Sequence, residues 1–214
     1  LYALQKLFLG PLESGRRFAN VIELAIPLTF TGLAVTIMFK ANQFNMISEG
    51  VFYVGGVIAS IVAIRMPLPP YVHPSVAILI SGVLGGFIAM IPSLLYLKWK
   101  ASELVSSLMM NFILFNLGLF VINNFYRDIS AGAMASEPFL KTAILTNLVP
   151  GTRIHFGVLL AVAATILVHL FLNKTKCGYD LKLTGENTDF AKYSGIKTKR
   201  VIIYSQFIGG FLAA

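Results

Sequence analysis

Residues 75–97 read SVAILISGVLGGFIAMIPSLLYL, a run without a single charged side chain. A helix rises about 1.5 Å per residue, so roughly twenty residues cross the hydrocarbon core of a bilayer, and this run is long enough. The chain of 214 residues has the same character throughout, with 57% hydrophobic and 12% charged residues. A typical soluble domain carries about 25% charged residues. The sequence therefore predicts a protein embedded in a membrane.

Five further apolar runs lie on either side of this one. The predicted spans are near 21–39, 45–64, 75–97, 103–122, 156–173 and 201–214. We expect one all-α domain over 1–214, a polytopic transmembrane helical bundle. Small residues recur at four-residue spacing, as in Gly82 with Gly86, and such faces let membrane helices pack closely.

The first twenty residues differ from the rest. Glu13, Arg16 and Arg17 interrupt them, so they are expected to be amphipathic or irregular rather than spanning. Because the chain begins at Leu1 and stops inside an apolar run, we interpret it as a fragment.

Residues 174–200 form a polar, lysine-rich segment between the last two apolar runs. Its middle has the signals of a short helix, because Asn187 can cap the N-terminus and Gly195 suits a left-handed residue after the C-terminus. Phe190 and Tyr193 are three residues apart and share one face. We interpret this helix as a docking element for another protein at the membrane surface.

The distribution of Lys and Arg gives an orientation. Ten of them lie on the side of the 174–200 segment and seven on the other, with Arg16 and Arg17 in the second group. Because such residues gather on the cytoplasmic side, we expect the 174–200 segment to be a cytoplasmic loop. The net charge of +8 does not indicate nucleic acid, since no basic groove with interleaved aromatics lies outside the spans.

The segment FNMISEG, from Phe44 to Gly50, places Asn45 and Glu49 beside the start of a span. Glu49 has two open interpretations: a first-turn acid at the inner surface, favoured by the helix dipole, or part of a broken helix that lines a transport pathway. Asn111 and Asn116 lie inside the fourth span. Their side-chain amides either form hydrogen bonds between helices or contact a polar solute that crosses the bundle.

No motif for catalysis is present. The sequence lacks a phosphate-binding loop, HExxH and GxSxG, and its one cysteine, Cys177, excludes an internal disulfide. His73 and His155 are expected in loops without a ligand pattern, and His169 is expected to be packed or interfacial. We predict no catalytic residue, no metal and no cofactor, and hence no enzyme.

Three blocks of sequence carry a family resemblance. They are FNMISEG at 44–50, ELVSSLMMNFI at 103–113, and PGTRIHFG followed by KCGYDLKLTGENTDFAKYSGI at 150–196. The chain resembles the permease subunits of bacterial ABC importers for nucleosides and simple sugars, within the branched-chain amino acid and ribose permease superfamily. The family's patterns look like FNIGxEGQ, NEVxxTLMLNYI and GxNxxAAxxxGI. Ile47, Val51, Thr188 and Phe190 depart from them.

The resemblance implies a multi-pass protein of the bacterial cytoplasmic membrane that lacks its first and last membrane helices here. Its partners would be cytoplasmic ATPase subunits, a second permease subunit, an extracytoplasmic solute-binding protein and the lipid bilayer. The positions that match the family's ATPase-coupling motif are Gly185, Asn187, Ala191, Gly195 and Ile196, and we add Phe190 and Tyr193.

The hypothesis is thus the membrane-spanning permease subunit of an ATP-driven importer of a nucleoside or simple sugar. Its predicted pathway residues are Phe44, Asn45, Glu49, Asn111 and Asn116. The alternative is an ion-coupled secondary transporter of a small polar solute, which needs ionisable groups within the spans, and these are few. A membrane-embedded enzyme is disfavoured because the catalytic set is missing.

Overall fold

The computed structural model describes residues 14–129, 132, 135–146, 148 and 154–214. Among these residues there is no β-strand, and isolated bridge residues such as Arg127 and Ser136 are the extent of the β-structure. The helices are α1 Gly15–Lys40, α2 Ser48–Arg65, α3 Val72–Trp99, α4 Glu103–Phe125, α5 Gly157–Lys174, α6 Lys176–Glu186, α7 Thr188–Tyr193 and α8 Thr198–Ala213, with a 3₁₀ turn at Lys141–Ala143 before α5. Helices α1 to α5 are each long and apolar enough to cross a membrane. The predicted all-α polytopic bundle is confirmed.

Two boundaries differ from the sequence-based expectation. Helix α1 begins at Gly15, so residues 15–20 are helical and continuous with the first apolar run, because neither Arg16 nor Arg17 prevents helix formation at an exposed end. His73, expected in a loop, lies in the first turn of α3, where Pro74 is tolerated because the N–H it lacks has no intrahelical partner there. Residues 1–13 lie outside the described part. Helix α8, Thr198–Ala213, covers most of the predicted span 201–214, but with 16 residues it is not among the five described helices that are long and apolar enough to cross a membrane.

Helix α8 packs against α3 through the small residues that the sequence pointed to. A Cβ added to Gly210 would overlap the Cβ of Ala89. Added at Gly86, it would lie 2.8 Å from the ring of Phe207. On the other side of α8, the Met38 side chain of α1 covers Gly209. The backbones of α3 and α8 therefore approach closely. In a membrane no hydrophobic effect drives helices together, so the van der Waals contacts of this close approach stabilise the pair.

The bundle has two ends with different side chains. Helices α3 and α8 run antiparallel, so Trp99 and Thr198 lie at one end, which we call the 174–200 end. At the opposite end, the Arg65 guanidinium lies 5.4 Å from the centroid of the Tyr126 ring. There, His73 is fully buried and bonds the Val62 carbonyl at 3.1 Å.

The α3–α8 contact predicts a stability difference between two glycine variants. Gly210→Val would force a branched side chain into Ala89 and the backbone of α3, whereas Gly56→Val on α2 meets open space. Both changes put valine into a helix, so the helix propensities cancel. We expect Gly210→Val to lower the free energy of unfolding by about 1–3 kcal/mol relative to Gly56→Val. Thermal unfolding in detergent measures the difference, and equal melting temperatures would contradict this packing.

Candidate functional site

The chain between α1 and α2 is not helical, and one buried amide holds it inside the bundle. We call residues 41–47 the connector. The Asn45 side chain is fully buried, and its Nδ2 donates to the Ala89 carbonyl at 3.3 Å and to Oε1 of Gln206 at 2.8 Å. Its Oδ1 accepts from the backbone N–H of Ile47 at 3.0 Å. Asn45 thus joins the connector to both α3 and α8.

Helix α4 holds the other side of the connector. Asn111 Nδ2 donates to the Met46 carbonyl at 2.8 Å, and Asn111 Oδ1 accepts from the N–H of Gly50 at 3.0 Å. The N–H of Met46 donates to Ser107 Oγ at 3.1 Å. These side chains satisfy backbone groups that no helix satisfies, which is the condition for irregular backbone at membrane depth.

The connector reaches well into the bundle. Ala89 lies roughly ten residues before the end of α3 at Trp99, and Gln206 roughly eight after the start of α8 at Thr198. At about 1.5 Å per residue, both contacts with Asn45 are about 12–15 Å from the 174–200 end, in a hydrocarbon core about 30 Å thick. Asn45 therefore lies at an intermediate depth, not at the surface.

The other predicted pathway residues lie in or near the connector, and their side chains differ in exposure to solvent. Phe44 is exposed and its ring centroid is 5.5 Å from that of Phe39. Glu49 is exposed in the first turn of α2, beside the Gly50 that bonds Asn111. Asn116 is exposed, and its amide bonds the Phe112 carbonyl of its own helix at 2.7 Å. Asn45, Glu49 and Asn111 are thus brought together, whereas Asn116 lies farther along α4.

Gln206 belongs to this group and was not predicted from the sequence. Its side chain is fully buried, and its Nε2 has no hydrogen-bond partner. Gln43, at the start of the connector, has an unpartnered Oε1 and is also buried. An amide inside an otherwise apolar run, VIIYSQFIGGFL, was the available signal, because polar residues at membrane depth generally have a function.

The 174–200 segment contains two helices rather than the single short helix expected. Helix α6 was missed, and the segment is therefore not a loop over its first half. Thr175 begins α6, since its Oγ1 accepts from the N–H of Gly178 at 3.1 Å. Threonine is one of the preferred N-cap residues, but the glycines of 176–186 obscured the helix that follows.

Helix α7 has the two ends that the sequence predicts. Asn187 Oδ1 accepts from the N–H groups of Asp189 at 3.1 Å and Phe190 at 2.9 Å, the geometry of an N-cap. Gly195 has a φ of +82°, and the N–H of Ile196 returns to the Ala191 carbonyl at 3.0 Å, as in a left-handed helix ending.

One face of α7 is anchored and the other is free. Ala191 is fully buried, and Ile196 packs against a cluster that includes Leu181 and Val201. Phe190 is 56% exposed and Tyr193 is 92% exposed. Large aromatic side chains that a short, capped helix holds in solvent are typical of a protein-binding surface.

Gly185 connects α6 to the connector. A Cβ added at Gly185 would overlap the Lys40 carbonyl and lie 3.2 Å from the backbone nitrogen of Asn42. Helix α6 therefore touches the backbone where α1 ends and the connector begins. Beside it, a groove of about 560 Å³ lies between α6, α7 and the start of α8, lined in part by Tyr179, Phe190 and Arg200.

The described residues contain no group of three or more His, Cys, Asp or Glu side chains that could hold a metal ion. The connector and α7 present hydrogen-bonding amides, the exposed carboxylate of Glu49 and the exposed aromatic pair of Phe190 and Tyr193. Such groups can bind a polar solute and another protein, and they include no nucleophile with a neighbouring base.

Comparison with known proteins gives a family match over residues 17–214. The matching family is described as a permease component of the branched-chain amino acid transport system. No solved structure is significantly similar to the chain.

Curated relatives cover nearly the whole chain. A glucose ABC transporter permease protein, TsgB13 of Haloferax volcanii, is 29% identical over 97% of the chain and 57% of its own length. The guanosine ABC transporter permease protein NupP of Bacillus subtilis is 28% identical, over 87% of the chain and 54% of its length. The nucleoside ABC transporter permease protein NupB of Lactococcus lactis is 25% identical, over 100% and 61%. The chain thus spans a little over half the length of these relatives.

Proposed function

Because this chain belongs to the family of branched-chain amino acid transport permease components, we propose that it translocates a nucleoside or simple sugar as the membrane subunit of an ATP-driven importer. Relatives named for guanosine, nucleoside and glucose transport support this choice of solute. The chain is a multi-pass integral protein of the cytoplasmic membrane. Its partners in the proposal are cytoplasmic ATPase subunits, a second permease subunit and an extracytoplasmic solute-binding protein.

The 174–200 end faces the cytoplasm in this proposal. The Lys and Arg count favours this side, and the helices at that end carry exposed lysines around α6 and α7. The coupling residues are then Gly185, Asn187, Phe190, Ala191, Tyr193, Gly195 and Ile196. Phe190 and Tyr193 would enter a pocket on the ATPase, while Asn187 and Gly195 define the helix that presents them.

The observation that carries the proposal is a continuous set of contacts from α7 to the connector. Helix α6 reaches the connector through Gly185 on Lys40. Helix α8 follows α7 through Ile196 and reaches the connector through Gln206 on Asn45. A movement of α7 driven by closure of an ATPase dimer would therefore act on both ends of the connector. Such rigid-body coupling fits a transporter that alternates between two states.

The pathway runs past the connector in the proposal. Asn45 and Asn111 hold the connector, Phe44 offers an apolar surface, and Asn116 offers a further amide. The exposure of Glu49 supports a pathway at the connector. At the depth of the buried amides, a carboxylate that contacts lipid is costly, whereas one that contacts the water of a pathway is favourable. The broken-helix interpretation of Glu49 is therefore the one we adopt.

An uptake measurement in cells separates the importer from the ion-coupled alternative. We expect uptake of radiolabelled guanosine or glucose to stop when ATP is depleted and to persist for the first seconds after a protonophore collapses the proton gradient. The energy would come from nucleotide hydrolysis on a partner, because the chain lacks a phosphate-binding loop. Uptake that stops at once with the protonophore while ATP remains high would favour the secondary transporter.

A further inference from the structure

A second groove lies at the 174–200 end, on the outer surface between α3 and α8. Its volume is about 610 Å³, and its walls are apolar side chains that include Ile91, Leu94 and Ile203. Two lysines, Lys98 and Lys199, line the same groove. On α3, residues 91, 94, 95 and 98 share one helical face, so the apolar wall leads directly to a lysine.

The polar rim of this groove has a net positive charge. Lys98 and Lys199 are both exposed, and α8 begins here at Thr198, so the positive end of its helix dipole lies at the rim. The carboxylate of Glu103 does not neutralise them, because it is buried on the opposite side of α3, where it accepts from Ser93 Oγ at 2.7 Å. Cationic side chains and a helix N-terminus both favour an anion at this rim.

The groove also lies where a membrane changes from hydrocarbon to headgroups. Trp99 is 63% exposed, and the Lys98 Nζ lies 4.5 Å from the centroid of its ring. Tryptophan prefers the headgroup level of a bilayer, and lysines extend towards the phosphate layer. The apolar walls then face the acyl chains and the two lysines face the phosphates.

From these contacts we infer that the groove binds an anionic phospholipid, with the phosphate between Lys98 and Lys199 and an acyl chain along Ile91, Leu94 and Ile203. Basic sites between membrane helices recognise anionic headgroups in this way. A second copy of the chain is an unfavourable occupant, because its docking would bury the charges of Lys98 and Lys199 without a compensating anion. The inference does not depend on which solute crosses the bundle.

Trp99 is the single tryptophan of the chain and gives a direct probe of the groove. The purified chain in detergent is titrated with phosphatidylglycerol or phosphatidylcholine that carries bromine on the acyl chains, which quenches tryptophan fluorescence on contact. We expect phosphatidylglycerol to reach half-quenching at a concentration on the order of tenfold lower than phosphatidylcholine. In the double variant Lys98→Gln, Lys199→Gln, the two lipids should quench alike.

The matched control is the double variant Lys174→Gln, Lys197→Gln, which removes two exposed lysines at the same end that do not line the groove. It should keep the full preference for phosphatidylglycerol. Equal quenching by both lipids in the unmodified chain, or loss of the preference in the control variant, would overturn the inference. Weak quenching by both lipids would also overturn it, since it would mean that protein covers the groove.

Discussion

Replacing Phe190 with Glu is expected to reduce ATP-driven solute uptake on the order of a hundredfold while the chain still inserts and folds. Folding is spared because the Phe190 side chain is 56% exposed and makes no part of the buried core. The proposed docking to the ATPase should be lost, because buried aromatic anchors contribute about 2–4 kcal/mol to an interface and a carboxylate buried in their place costs more. Tyr193→Glu should have a similar effect, since Tyr193 is 92% exposed. Uptake and ATP hydrolysis are measured together in reconstituted vesicles.

The control for this prediction is Phe190→Leu, which keeps an apolar side chain at the same position. Phe190→Leu should retain most of the uptake. In the two Glu variants, the ATPase should still hydrolyse ATP, but the hydrolysis should no longer be coupled to transport. If both Glu variants transport normally, α7 does not dock the ATPase.

Replacing Asn45 with Leu is expected to cost both stability and transport. The change removes the hydrogen bonds to the Ala89 carbonyl, to Gln206 Oε1 and from the N–H of Ile47. Of these, the bond to Gln206 Oε1 is lost from a buried side chain whose Nε2 already has no partner among the described residues. A buried polar group without a partner costs about 1–3 kcal/mol. We expect a loss in the free energy of unfolding of about 2–4 kcal/mol and little remaining uptake.

Asn124→Leu is the matched control, because Asn124 is exposed and its side chain donates to the Phe120 carbonyl within α4 at 2.8 Å. Thermal unfolding and uptake are measured on both variants. Asn124→Leu should leave uptake unchanged and change the free energy of unfolding by less than about 0.5 kcal/mol. Similar losses in the two variants would mean that the connector has no special role.

The membrane fold could be predicted because its signals are local in the sequence. A run such as 75–97 can satisfy its backbone hydrogen bonds in lipid only as a helix, so its length and composition are enough to predict a transmembrane helix. The four-residue spacing of Gly82 and Gly86 predicted a close helix contact as well. It did not say which helices meet, because the partner of a small face depends on the three-dimensional arrangement. The family resemblance is confirmed by the match over residues 17–214.

The candidate site was predicted in part. The two ends of α7 were predicted from single residues, the N-cap Asn187 and the left-handed Gly195, and both are confirmed. The site around the connector depends on contacts between distant residues, such as Asn45 with Gln206, which no local pattern reveals. Helix α6 was missed because Gly, Thr and Asp have low helix propensity, and the close packing of Gly178 and Gly185 against neighbouring backbone stabilises the helix instead.

The most direct test of the central claim is the sidedness of α7. Cys177, which is exposed, is first replaced by Ser, and Lys192→Cys then provides the single target for a membrane-impermeant maleimide. Ile129→Cys, at the opposite end and 94% exposed, is the comparison. The account predicts that intact cells label Ile129→Cys and label Lys192→Cys only after the membrane is permeabilised. Labelling of Lys192→Cys in intact cells would place α7 outside and contradict its docking to a cytoplasmic ATPase.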